Sequence, residues 1–215
     1  MACPTEESSR GTDAVRSALL TAAAELLSEA GPSSISVRDI ARRAGVNHGQ
    51  VHHYFGGKRG LLVAAMRKLA EQHWNTINAR TGGHPIPPLF ALADDPAYWR
   101  AVSHVMMEGD LELARIEVDE DISVPRRALH ALMERYEIDD DDLDFKARFA
   151  AITALQMGWV AMEDFIMLVS DVDEADRKCV QERVRALLEN SMERAMQDTR
   201  GEAPPTTTSR EGKTK

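Results

Sequence analysis

The chain has 215 residues, 43% of them hydrophobic, a net charge of −9 and two cysteines, Cys3 and Cys179. That length and apolar content can build a core without covalent staples, and two cysteines exclude a disulfide framework. With no apolar leader at the start, and with the longest apolar run (Ile152 to Val169) broken by Thr153, Gln156, Glu163 and Asp164, a cytoplasmic protein is expected, neither secreted nor membrane-spanning.

Residues 1–11 are polar and aperiodic and read as a disordered tail, as do residues 201–215. Between them apolar residues recur at three and four positions with no strand-like alternation, so the expected fold is all-α. A first helix is expected from about Asp13 to Ala30, with Val15, Leu19, Ala22 and Leu26 on one stripe and Gly31-Pro32 stopping it. Ser36 and Asp39 have capping-box spacing, which predicts a short helix to Ala44 ended by Gly45. Asn47 caps another, ending near Phe55 at Gly56-Gly57. A longer helix from about Lys58 to Arg80 buries Leu62, Met66, Leu69, His73 and Ile77.

Two short helices joined by a turn of a few residues have the spacing by which a second helix is held out toward a DNA major groove. On a helical wheel Val51, Tyr54 and Phe55 fall on the buried side, so Gly49, Gln50, His52 and His53 project outward with His48 flanking them. The net acidity looks wrong for a nucleic-acid binder. From Ile35 to Gly60, however, five basic residues (Arg38, Arg42, Arg43, Lys58, Arg59) face one acid, Asp39, a local basic island on an acidic body.

Gln50 suits a two-point contact to adenine, and Arg38, beside Val37 at the start of the preceding helix, can reach guanine. Ser36, Asn47, His52, His53 and Tyr54 are expected at phosphate oxygens, and Lys58 adds charge at the N-terminus of the next helix. Asn47 and Gln50 have a second reading, as reciprocal helix caps, and Tyr54 a second one in the core. His48 and His52, at i and i+4, have metal-ligand spacing without a third ligand nearby; no metal or cofactor is expected.

The run Leu26-Leu27-Ser28-Glu29-Ala30-Gly31, then Ser36-Val37-Arg38-Asp39-Ile40-Ala41, then Ala44 through Lys58, closely resembles the tetracycline-repressor (TetR) family over residues of about 12 to 72. The resemblance implies an all-helical homodimer whose N-terminal three-helix head binds a palindromic operator in double-stranded DNA, usually repressing transcription until a small-molecule effector releases it. His48, Gln50 and His52 stand where family members often carry lysine, threonine and tyrosine, so the operator sequence does not carry over.

Residues 12–72 are thus expected to form the helix-turn-helix DNA-binding domain and residues 73–200 a helical ligand-binding and dimerisation domain. After a Gly/Pro-rich loop at Thr81 to Pro88, helices are expected near 89–93, 95–108, 124–137, 144–170 and 173–198. The acidic run Asp139 to Asp142 reads as a solvated linker that favours the N-terminus of the helix after it. The segment Asp144 to Ser170 is apolar on more than one face and the last helix is an ordinary amphipath, so these two are expected to pair with their symmetry mates as a four-helix bundle. Trp99, Met106, Phe149 and Trp159 are candidates for an apolar effector pocket or for ordinary core, with Gln156 and Glu163 as its orienting contacts or as interface polar groups. No catalytic constellation appears at motif spacing, so enzymatic activity is not expected. The alternatives to a repressor are an activator on the same fold and a helical protein-interaction adaptor.

Overall fold

The computed structural model describes residues 6–198, with side chains for residues 11–194, and the chain there is helical with no strand among the described residues. Helix α1 spans Glu6–Glu29. It starts well before Asp13, so residues 6–11 are helix, not tail; that stretch holds no apolar residue and therefore no periodicity to read. Residues 1–5 and the tail expected at 201–215 lie outside the described residues, as does Cys3.

Helix α2 spans Val37–Ala44 and carries the expected capping box: the Asp39 N–H donates to Ser36 Oγ at 3.1 Å and the Ser36 N–H donates to Asp39 Oδ2 at 3.2 Å. Gly45 ends it at φ 68°, a left-handed conformation that glycine takes without a Cβ penalty. Helix α3 spans Gly49–Phe55 and α4 spans Lys58–Thr81. A 3₁₀ turn at Ala91–Asp94 precedes α5, Pro96–Met107, whose Asp95 cap accepts from the Tyr98 N–H at 3.1 Å. Two single-turn helices not expected from the sequence follow, α6 at Leu111–Ala114 and α7 at Ile116–Asp119. Then come α8, Val124–Tyr136, α9, Leu143–Val169, and α10, Arg177–Asp198. Asp142, from the acidic run, caps α9 by accepting from the Phe145 N–H at 2.8 Å.

The chain divides into two compact units, one ending at Ala128 and one beginning at Leu129. In the first, Leu19 and Leu27 of α1, Ile40 of α2, Val51 of α3, Leu61 and Met66 of α4, Val105 of α5 and Leu113 of α6 form one fully buried core. The core is continuous past residue 72, so the helix-turn-helix is mounted on α4–α6 and is no free-standing layer. The stripe expected on α4 is buried: Leu62, Met66, Leu69, His73 and Ile77 are each at most 6% exposed. In the second unit the buried apolar residues are Leu132, Met133, Phe145, Trp159, Met167 and Leu188. Helices α9 and α10 pack together there, and on α10 Leu188 is buried while Leu187 is 65% exposed.

Helix α9 is long and apolar enough, by length and composition, to cross a membrane, yet only 6% of its apolar window is buried within the chain. Leu155, Met162, Phe165, Leu168 and Val169 stand exposed on it.

Candidate nucleic-acid interface

Helix α3 is held by its inner face. Val51 is fully buried, Tyr54 and Phe55 pack on the core of the first unit, and Ile40 and Ala41 anchor α2 beside it. The outer face is bare: Ser36, Arg38, Asn47, His48, Gly49, His52 and His53 are exposed, while Val37, Gln50, Tyr54 and Lys58 are half-buried. The sequence-expected set therefore lies along α2, α3, the turns that enter them and the first residue of α4, with Tyr54 contributing to both core and rim.

The turn out of α3 is tightly built. Gly56 sits at φ 70° and Gly57 at φ 123°, with the His52 ring against Gly57. At Gly60, in the first turn of α4, a Cβ would come within 2.0 Å of the Phe55 carbonyl oxygen, so α4 can approach the end of α3 only because this residue is glycine. At the other end, Asn47 Oδ1 accepts from the Gly49 N–H at 2.8 Å. Gln50 takes no part in reciprocal capping. Its Oε1 is shut away from solvent with no hydrogen-bond partner, so a two-point adenine contact requires the side chain to turn outward.

The basic island is smaller than its residue count implies. Arg42 pairs with Asp39 at 2.6 Å, Arg43 with Glu29 at 2.5 Å, and Arg59 with Asp110 and with Glu112 at 3.2 Å. These hydrogen bonds hold the Glu29 and Asp110 carboxyls below the usual carboxylate range, and Ser36 does the same for Asp39. Arg38 and Lys58 are in no ion pair among the described residues and flank α3 from the starts of α2 and α4. Arg16 of α1 lies over the Phe55 ring, 5.8 Å from its centroid.

Contacts that no sequence motif announced tie the helix-turn-helix to the helices behind it. Glu108, at the end of α5, accepts from the Ser33 N–H at 2.8 Å and from the Ser33 hydroxyl at 2.9 Å, fixing the loop between α1 and α2. His104 Nδ1 is 2.9 Å from the Leu27 carbonyl. Deeper in the unit, His73 of α4 stacks on Tyr98 of α5 with ring centroids 4.2 Å apart, and its Nδ1 lies 3.4 Å from Asp95 without a well-formed hydrogen bond. Tyr98 in turn donates to Glu117 of α7, whose other oxygen accepts from the Ser123 hydroxyl at 3.0 Å. Burial holds the His73 imidazole below its usual range, against the pull of Asp95, and pushes the Glu117 carboxyl up.

The six expected effector-pocket residues are divided between the units. Trp99, packed on the core, and Met106, 47% exposed, belong to the first. Phe149, Gln156, Trp159 and Glu163 belong to the second, where Trp159 is buried and Phe149 and Gln156 are half-buried. Glu163 accepts from Arg177 at 2.9 Å and from the Gln181 amide at 2.6 Å, so its polarity serves the α9–α10 contact. A cleft of about 540 Å³ in the second unit lies at the C-terminal end of α8, between His130, Met133 and the Ile138–Asp140 turn, and none of the six residues lines it. No cluster of three metal-ligating side chains occurs among the described residues, His48 and His52 included.

Residues 19–65 match the family described as bacterial regulatory proteins, tetR family. An HTH-type transcriptional repressor of Mycobacterium tuberculosis is 28% identical over 164 residues, 76% of this chain and 81% of that protein. The HTH-type transcriptional regulator BetI 2 of Chromohalobacter salexigens is 35% identical over 101 residues, 47% of this chain and 44% of its own length. Among solved structures, a tetR-family transcriptional regulator from Streptomyces coelicolor aligns over 94% of this chain and 92% of its own, with a TM-score of 0.53 and 18% identity, a likeness of fold.

Proposed function

Because the chain belongs to the tetR family of bacterial regulatory proteins and is a DNA-binding transcriptional regulator, we propose that it is a cytoplasmic repressor. It works as a homodimer on a palindromic operator and is released by a small, largely apolar effector. The observation that carries this reading is the outer face of α3, polar, free of carboxylates, and flanked by Arg38 and Lys58, two cations in no ion pair among the described residues. Ser36, Val37, Asn47, His48, Gly49, Gln50, His52, His53 and Tyr54 complete the contact set. Phosphate contacts set register, and base-edge contacts from Arg38 and α3 set sequence.

A two-fold dimer places two copies of α3 about 34–36 Å apart, or a multiple of that, which is why the operator is symmetric. The bare apolar face of α9, with Leu187 of α10, is the surface a second copy covers. DNA reading belongs to residues 12–72, and sensing and pairing belong to residues 73–200. Effector binding favours a conformation in which α4 swings and the separation of the two heads no longer matches the duplex.

Fluorescence anisotropy on duplex DNA from beside the gene, against a scrambled duplex of equal length, tests the reading. Tighter, salt-sensitive binding to the native sequence supports it, and equal affinity for both duplexes defeats sequence-specific regulation. Deletion of the gene raises transcription from that promoter if the protein is a repressor; a fall identifies an activator.

A further inference from the structure

Three histidines occupy the face of α3 assigned to the duplex: His48 at its start and His52 and His53 within it, all exposed. Helix α3 carries no acidic residue, and among the described residues the histidine that pairs with a carboxylate is the buried His73, beside Asp95, far along α4. His52 rests against Gly57 and His53 meets Tyr54 edge-on at 4.7 Å, neither contact supplying a negative charge.

Among the described residues, the charged groups on the neighbouring elements do not supply one either. On α1, Arg16 reaches the end of α3 over Phe55, and Asp13 stands exposed one turn earlier. On α2, Arg38 is unpaired, Asp39 is taken by Ser36 and Arg42, and Arg43 by Glu29. On α4, Lys58 is unpaired and Arg59 is bound to Asp110 and Glu112. In the free protein, therefore, no carboxylate among the described residues pairs with these three imidazoles. A DNA phosphate does the reverse: an anion beside a histidine favours its charged form.

We propose that this chain takes up protons when it binds duplex DNA, through His48, His52 and His53, so that its affinity rises as pH falls through the histidine range. The proposal rests on α3 being the helix that meets the duplex. A charged imidazole donates from both ring nitrogens, where a neutral one donates from a single nitrogen. It can bridge two phosphate oxygens, or meet the paired acceptors of guanine, while Gln50 keeps its Oε1 turned inward. The sign follows from linkage. A group protonated more fully in the complex than in the free protein strengthens binding below its complexed pKa, and that gain disappears as pH rises through it. Each protonated contact also releases counterions, so acidification steepens the salt dependence by about 0.9 in log–log slope per phosphate engaged.

The test is anisotropy with the full chain on the native and scrambled duplexes, from about pH 6 to about pH 8, at several salt concentrations. Affinity should strengthen by about tenfold per pH unit for each proton taken up, with a total uptake between one and three. His48→Gln, His52→Gln and His53→Gln should each lower the pH slope, and the triple variant should flatten it. The triple His→Lys variant should bind tightly with no pH slope. All three substituted positions carry exposed side chains, and thermal melting checks that the variants fold. Binding by the wild type that is indifferent to pH overturns the proposal, as does a slope that survives in the triple Gln variant. Absence of binding to either duplex at every pH strikes the DNA-binding role of α3 itself, whereas binding without a pH slope leaves that role standing and removes only the proton linkage.

Discussion

Arg38 and Lys58 flank α3 and form no ion pair among the described residues, yet their positions give them different work. Arg38, the second residue of α2, lies at the edge of the surface proposed to meet the groove, and there it would fork onto a guanine, a contact worth roughly 1–3 kcal/mol of discrimination. Lys58 is a point charge on the first turn of α4, where free backbone N–H groups already favour a phosphate. Arg38→Ala is expected to weaken native-sequence binding more than scrambled-sequence binding, relaxing specificity. Lys58→Ala is expected to weaken both alike and to lower the salt slope by about one unit. Equal losses on both duplexes for Arg38→Ala would remove its base-reading role. Gly60 makes a prediction of another kind. The atom its Cβ would strike is backbone, which cannot rotate aside, so Gly60→Ala should destabilise the first unit by about 1–3 kcal/mol, read as a lowered urea midpoint, and loosen α3 with it.

At the scale of elements, the buried chain of His73, Tyr98, Glu117 and Ser123 joins α4 to α5, α7 and the start of α8, and its titration has opposing signs. Glu117 has a folded pKa raised by burial, so it contributes stability at acid pH that is lost as pH rises through the raised value. His73 has a folded pKa lowered by burial, so its contribution is present above its unfolded pKa and is lost as pH falls through the lowered one. Glu117→Gln keeps one acceptor oxygen and presents its amide NH2 to the other hydroxyl, which turns to accept, so both contacts to Tyr98 and Ser123 can form without the buried charge. The variant should therefore gain in thermal stability on the wild type as pH rises through the Glu117 pKa, and the two melting temperatures should converge in acid. A difference that is constant with pH would show that Glu117 is not the group titrating.

The same elements show what a single sequence discloses. Helices α2 and α3 were legible because their ends are written in local chemistry: Ser36 with Asp39, Gly45, Gly56. The burial of His73 followed from its place on the α4 stripe. Its partners Asp95 and Tyr98, and Glu117 behind Tyr98, did not, since they come together only through tertiary packing. Helices α6 and α7 are four residues each, about one turn, too short for any 3.6-residue periodicity to register. The pairing of Arg59 with Asp110 likewise spans a long stretch of sequence, which is why counting charges overstated the free basicity of the head.

At the scale of the whole molecule, large apolar side chains in the last third of the sequence fit core, pocket or subunit interface equally well, because Trp, Met and Phe satisfy all three by the same physics. Burial separates them. At about 100° per residue, Leu155, Gly158, Met162, Phe165 and Val169 fall within a stripe of about 80° on α9. Phe145, Trp159, Glu163 and Met167 lie on an adjoining one. The second stripe is buried or engaged with α10, whereas Leu155, Met162, Phe165 and Val169 of the first are 52–61% exposed. A contiguous apolar strip on a helix that already has a partner calls for further cover, which in the proposed homodimer a two-fold copy presenting the same strip would supply. Phe165→Asp would place a charge in that strip at a position not used by the fold of the unit itself. It should leave the helical content unchanged by circular dichroism and shift the sedimentation equilibrium from dimer toward monomer. Affinity for a palindromic duplex should fall with it, toward that for a single half-site, because each head then binds without its tethered twin. A Phe165→Asp protein that stays dimeric and binds the palindrome undiminished would exclude this strip as the pairing surface.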